Sequence, residues 1–187
     1  MTTAGCAGVV RLRRMTIDDL EVVAAIEARA FSSPWPIASY RHELTTVTTA
    51  HYFVAYRDAA VARPGQMDTP PEPVVIGYAG LRLQHDEAHV STLAVVEACR
   101  CRGIGATLVA RLIERAIDLG AIEVTLEVRA SNVAAQRLYA KFGFEVVGHR
   151  RRYYPDNDED AIIMTTPDLA DPAWRAHFHA LRLRLAS

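Results

Sequence analysis

Hydrophobic and polar positions along this chain follow two rhythms. From Ile122 to Arg129 the period is two: Ile122, Val124, Leu126 and Val128 share one face, and Glu123, Thr125, Glu127 and Arg129 the other. A strand produces that alternation. From Ile104 to Leu119 the period is helical, with Ile104, Leu108 and Leu112 in one row, Val109, Ile113 and Ala116 in the next, and Gly120 where a helix should stop. Leu20, Val23, Ala24, Ile26, Glu27 and Ala30 form another helical stripe, entered through Thr16-Ile-Asp-Asp19 and ending near Phe31. Ser33-Pro-Trp-Pro36 breaks the chain before a short second helix to about Leu44, and Ser131-Asn132 and Gly143 bracket another helix reaching Phe142.

Strand-like runs occupy Val9–Met15, His51–Arg57, Val74–Leu83, Ala88–Val95, Phe144–Tyr154 and Ala161–Thr165. The predicted order is β-α-α-β-β-β-α-β-α-β-β, which implies an α/β fold: a mixed central sheet with helices on both faces. Past Asp168, Trp174, Phe178, Leu181 and Leu185 fall on one face of an extra C-terminal helix, expected to pack on its own domain. Arg63–Pro73, with four prolines and a glycine, reads as a loop. The expected organisation is a flexible segment 1–8, a domain over 9–166 and a helical extension over 167–187.

Composition narrows the function classes. The chain has 187 residues, 50% of them hydrophobic and 23% charged, enough for one well-filled core. A net charge of −1 supplies no whole-molecule field for nucleic acid or an anionic membrane. No window reaches the roughly 18 uninterrupted apolar residues of a membrane span, and Met1–Arg14 does not read as a secretory signal. Cys6, Cys99 and Cys101 make a poor disulfide framework and a poor zinc site, so three reduced thiols and a cytoplasmic protein are expected.

The chemistry concentrates in mid-chain. Leu93 to Ala106 (LAVVEACRCRGIGA) reads as strand, short loop and helix. Gly103 and Gly105 free the backbone to approach a ligand, the helix start offers unpaired N–H groups, and Arg100 and Arg102 add positive charge, which together suit an anion such as a pyrophosphate. Taken alone, R-x-x-G-x-G is also an ordinary strand-to-helix turn.

The longer series LAV, RCRGIGA, LEVRASNVAAQRLYAKFGF, RRRYYP and DAIIM, with Ser33-Pro-Trp35 near the start, resembles the GNAT acetyltransferases, and more narrowly their RimI type, which acetylates protein N-termini. The resemblance covers roughly residues 9–166. It implies acetyl-CoA as co-substrate, with no metal: Leu93, Ala94 and Val95 would meet the pantetheine arm, Arg100, Cys101, Arg102, Gly103, Ile104, Gly105 and Ala106 would cradle the pyrophosphate, and Asn132 would lie near the cofactor. Glu127 matches the family's general base and Tyr139 its general acid. Without the resemblance, Glu127 is a solvated strand carboxylate and Tyr139 a packing residue.

On the acceptor side the resemblance points to Trp35, Tyr153 and Tyr154, which otherwise read as core aromatics. Arg150-Arg-Arg152 reads as a strand of exposed arginines, some pairing with Asp156–Asp160, rather than as a nucleic-acid patch. The expected acceptor is a protein N-terminus, that of a small-subunit ribosomal protein, without direct nucleic-acid or membrane partners, and the protein a monomer or weak dimer. A small-amine or lysine acetyltransferase and a non-catalytic acetyl-CoA-binding module remain as alternatives.

Overall fold

A computed structural model describes residues 8–58 and 73–185; the expectations for 1–7, for the loop from 63 to 72 and for 186–187 lie outside the described residues. Strand β1 (Val10–Arg14) leads through a single 3-10 turn (Ile17–Asp19) into α1 (Leu20–Ala30). The stripe from Leu20 to Ala30 lies wholly in α1, and the entry segment before it forms the separate turn. The reason lies at Asp19, whose Oδ2 accepts the Thr16 backbone N–H at 2.8 Å while both carboxylate oxygens hold Arg13, at 2.6 and 2.7 Å. Helix α2 (Ile37–Thr45), strands β2 (Ala50–Arg57), β3 (Val74–Gln84) and β4 (Glu87–Val95), helix α3 (Ile104–Asp118), strand β5 (Glu123–Arg129), helix α4 (Val133–Lys141), strands β6 (Glu145–Tyr154) and β7 (Glu159–Thr165), and helix α5 (Pro172–Leu185) follow.

The seven strands form one sheet in the order β1-β2-β3-β4-β5-β7-β6. Every pairing is antiparallel except β4 with β5. Because successive strand residues point to opposite faces, β2 and β3 divide their side chains between two cores. Tyr52, Val54, Val75 and Tyr78 meet Leu20, Val23 and Ile26 of α1 and Tyr40 of α2. Phe53, Ala55, Ile76 and Ala79 meet α3, with Phe142, Trp174 and Phe178 in the same layer. All six residues of the two α3 rows are buried, and each aliphatic side chain so buried contributes roughly 1.5–3 kcal/mol. Helices therefore cover both faces of the sheet, as expected from the element order.

Two readings are corrected. Ile122, placed with the inward row of β5, is 48% exposed because it precedes the strand, whereas Thr125 on the opposite face is buried. Cys99 is buried and disulfide-bonded, and Cys101 is free and exposed, so the expectation of three reduced thiols does not hold.

Candidate active site

The parallel pairing of β4 with β5 covers only Glu87, Ala88 and His89 against Glu123, Val124 and Thr125. Beyond that point β5 stays bonded to β7 as far as Arg129, and β4 stays bonded to β3 as far as Val95. The two strands part company, and a register shift at Gly80/Leu81 leaves Ser91 as an extra residue on β4. A bulge of this kind bends its strand and increases the twist. Leu93, Ala94 and Val95 therefore lie on a stretch of β4 bonded to β3 on one side and to no described strand on the other.

Beyond Val95 the chain makes a 3-10 turn at Glu97–Cys99 and enters α3. Arg100 Nε donates to the Val95 carbonyl at 3.2 Å. Cys101 has φ +60° and Gly103 φ +83°. The two glycines serve different ends. A side chain on Gly103 would meet no atom within 4 Å, so its backbone angle is what calls for glycine. A Cβ on Gly105 would come within 3.2 Å of Leu138 Cδ2, so Gly105 lets α3 approach α4. The first helical bond of α3 runs from the Thr107 N–H to the Gly103 carbonyl, leaving the N–H groups of Ile104, Gly105 and Ala106 without an intrahelical acceptor. Arg100, Cys101, Arg102 and Gly103 are exposed around them, while the Ile104 side chain is sunk in the core. These features fit an anionic, extended ligand running from a strand edge to a helix start.

Glu127 stands where β4 and β5 separate. Its side chain is 10% exposed; Oε2 meets His89 Nε2 at 2.6 Å and Oε1 meets Arg150 Nε at 3.1 Å. The hydrogen bond with His89 is the main cause holding its pKa below the ordinary carboxylate range, with burial opposing and the charge of Arg150 assisting. Tyr139 is buried on α4, its ring 5.6 Å from that of Phe144, and burial pushes its phenol up to about 12. Tyr154 lies close enough to raise Tyr139 further, and Glu127 close enough to raise both Tyr153 and Tyr154. Glu127, Tyr153, Tyr154 and Tyr139 thus share one neighbourhood, in which the phenols are neutral and the Tyr153 and Tyr154 rings meet edge to face at 5.1 Å. Asn132 caps α4, its Oδ1 accepting from the Ala135 N–H at 3.1 Å.

The α1–α2 connection and the β6–β7 hairpin meet beside these residues. Ser32 is hydrogen-bonded to Asp156; Arg129 Nη2 reaches Ser32 Oγ at 3.1 Å and Asp156 at 2.9 Å, and Nη1 reaches Glu159 at 3.0 Å. The Arg129 guanidinium also lies 3.9 Å from the centre of the Tyr154 ring, within cation–π range. Trp35 is 38% exposed, its backbone N–H bound by the buried Glu27 carboxylate at 3.0 Å, and it lines an open groove with Pro36, Ala38, Ser39, His42 and Glu43. The expected pairing of Arg150–Arg152 with Asp156–Asp160 is thereby corrected. Arg129 takes Asp156 and Glu159, Arg150 takes Glu127, and Arg152 offers its backbone N–H to Asp160 at 2.8 Å. Side-chain reach across the β5–β7–β6 sheet, invisible in the linear order, decides those partners.

Residues 20–144 match the acetyltransferase (GNAT) family. The chain belongs to that family. It is 37% identical over 153 residues to a putative [ribosomal protein bS18]-alanine N-acetyltransferase of Bacillus subtilis, covering 82% of this chain and 92% of the relative. It is 34% identical over 170 residues to the N-alpha-acetyltransferase RimI of Mycobacterium tuberculosis, covering 88% and 96%. The crystal structure of the ribosomal-protein-S18-alanine N-acetyltransferase from Escherichia coli superposes with a TM-score of 0.69 at 29% identity, over 86% of this chain and 94% of that one. This GNAT enzyme has no helix among the described residues long and apolar enough to cross a membrane.

Sequence reasoning missed His89, and placed Arg150 elsewhere. In the sequence His89 is one of seven scattered histidines. The available signal was its position on the predicted strand Ala88–Val95, next to the Glu127 strand if the two paired in parallel.

Proposed function

We propose that this GNAT enzyme transfers acetyl from acetyl-CoA to the free α-amino group of a protein N-terminus, the alanine terminus of a small-subunit ribosomal protein in particular. Such an acceptor places the enzyme in the cytoplasm. The observation that carries the reading is the Glu127 carboxylate at the parting of β4 and β5, held by His89 and Arg150 beside the Tyr153–Tyr154–Tyr139 cluster. The relatives' acceptors favour the same class, since two of them are named for the alanine of a ribosomal protein.

Acetyl-CoA bound along β4 and the α3 start supplies a thioester carbonyl for attack and a thiolate to leave. Leu93–Val95 would hold its arm by backbone groups, and the N–H groups of Ile104–Ala106 with Arg100 and Arg102 would hold its phosphates; Cys101 contributes only backbone, and Asn132 shapes the neighbouring wall. An α-amino group, with a pKa of about 7.7–8.0, is mostly ammonium at neutral pH and must lose a proton before it can attack. Glu127 stays ionised at that pH and takes the proton at a carboxylate oxygen, directly or through one water. Tyr139 keeps its proton at Oη well above neutral pH, ready to give it to a departing sulfur. Trp35, Tyr153 and Tyr154 form the walls against which the acceptor's first residues pack.

The test is acetyl-CoA turnover with N-terminal peptide libraries, led by alanine peptides of ribosomal proteins, against polyamines, amino acids and Nα-blocked lysine peptides. Turnover with free N-termini at least tenfold above the other amines is expected. Turnover restricted to small amines or to blocked lysine peptides would reject the acceptor, and no turnover with any amine would leave an acetyl-CoA-binding module.

A further inference from the structure

Helix α5 lies outside residues 20–144, the part of the chain that matches the GNAT family. The contacts of Trp174, His177 and Phe178 fall at the end of α4, four residues or fewer from Tyr139. An α-helix leaves its last carbonyls without intrahelical donors. In α4 two of them are closed locally. The Gly143 N–H returns to the Ala140 carbonyl at 3.0 Å and the Phe144 N–H to the Tyr139 carbonyl at 3.3 Å, with Gly143 at φ +83°. This is a Schellman closure, and the Tyr139–Phe144 ring contact is the apolar pair that accompanies it.

The next two carbonyls are taken by α5. Trp174 Nε1–H donates to the Phe142 carbonyl at 3.0 Å in a buried position, and His177 Nε2 meets the Lys141 carbonyl at 2.7 Å. The Trp174 ring fills the space over Gly143, where a Cβ would come within 2.9 Å of it, and stacks on Phe178, whose ring faces Phe142 at 6.4 Å. An Arg182–Glu114 ion pair fixes the far end of α5 to α3, the helix whose start forms the anion site.

We propose that α5 is a positioning element for Tyr139, with Trp174 its principal residue: it completes the carbonyl closure of α4 and so fixes the height and rotation of the turn that presents the phenol. The inference rests on the reading of Tyr139 as the proton donor. Trp174 touches neither acceptor nor acetyl-CoA in this reading and acts through the helix end. Its surface is spent on its own domain, which leaves Trp174 and Phe178 unavailable as a dimer contact.

The experiment is a double-mutant cycle on the full chain: Trp174→Phe, Tyr139→Phe and the pair, with kcat and the KM for acetyl-CoA measured for each. Trp174→Phe keeps an aromatic ring over Gly143 and removes one N–H donor. Its kcat should fall about fivefold, less than the roughly 100-fold that misplacing a reacting group by 1 Å can cost, with the KM for acetyl-CoA within twofold of the parent. In the Tyr139→Phe background the same change should have no further effect on kcat, because the group being positioned is gone. A fivefold loss in both backgrounds, or an unchanged kcat in the parent, would overturn the inference. If Tyr139→Phe alone leaves kcat intact, the proton-donor reading fails first and the positioning role goes with it. Should Trp174→Phe not fold, His177→Ala, at an exposed bond to the same helix end, takes its place in the cycle with the same expected pattern.

Discussion

Glu127 shows how neighbours set the behaviour of a single residue. Alone on an alternating strand it would be an ordinary surface carboxylate. Here His89 and Arg150 occupy both its oxygens, and the His89 bond outweighs burial in holding its pKa down. A lowered carboxylate pKa means that Glu127 is present in its ionised form throughout the neutral range, as the proton-accepting role proposed for it requires. A weaker base is also a poorer match to an ammonium, so proximity must make up the difference. Replacing Glu127 with Gln should therefore lower kcat/KM about 100-fold at pH 7, where the amine is mostly protonated. The deficit should shrink at pH 9.5, where the amine is already free. A pH–rate profile that keeps its shape in Glu127→Gln would remove this residue from the proton-accepting role.

At the scale of elements, the entry to α1 is held by the Arg13–Asp19–Thr16 cluster. Burial alone would raise the Asp19 pKa, but the Arg13 hydrogen bonds and the Thr16 N–H outweigh it, and the pKa is lowered. The unfolded chain, with Asp near 3.9, binds the proton more readily. Asp19 therefore contributes stability above roughly pH 4, and that contribution is lost as pH falls through the folded-state value. Asp19→Asn should lower the unfolding free energy by about 1.5–3 kcal/mol at pH 7, with the gap to the parent closing toward pH 3. Urea titrations at the two pH values measure it; an equal gap at both would assign the effect to packing rather than charge.

Across the whole molecule, a net charge of −1 offers no long-range attraction for an anionic co-substrate. Local steering falls first to the exposed Arg100 and Arg102 beside the α3 start. Exchanging both for Ala should raise the KM for acetyl-CoA about three- to tenfold at low salt, and the difference should narrow at 0.5 M salt as the Debye length falls below about 5 Å. A KM that does not move would leave the binding to the backbone N–H groups alone.

The local patterns in the chain already determined most of the architecture. The two apolar rows of α3, the Gly120 and Gly143 stops, the Asn132 cap and the β5 alternation all depend on neighbours within about four residues, and all reappear in the fold apart from the exposed Ile122. The R-x-x-G-x-G loop and the spacing from Glu127 to Tyr139 were legible for the same reason, being contained in one strand–loop–helix and one strand–helix unit. Only tertiary structure decided the rest. His89 meets Glu127 across the short parallel pairing of β4 and β5, Ser32 meets Asp156 across 124 positions, and Trp174 reaches back 32 positions to the Phe142 carbonyl. Such contacts depend on which strands pair, where they stop pairing and which helix covers which end, and no periodicity along the chain encodes a partner that far away.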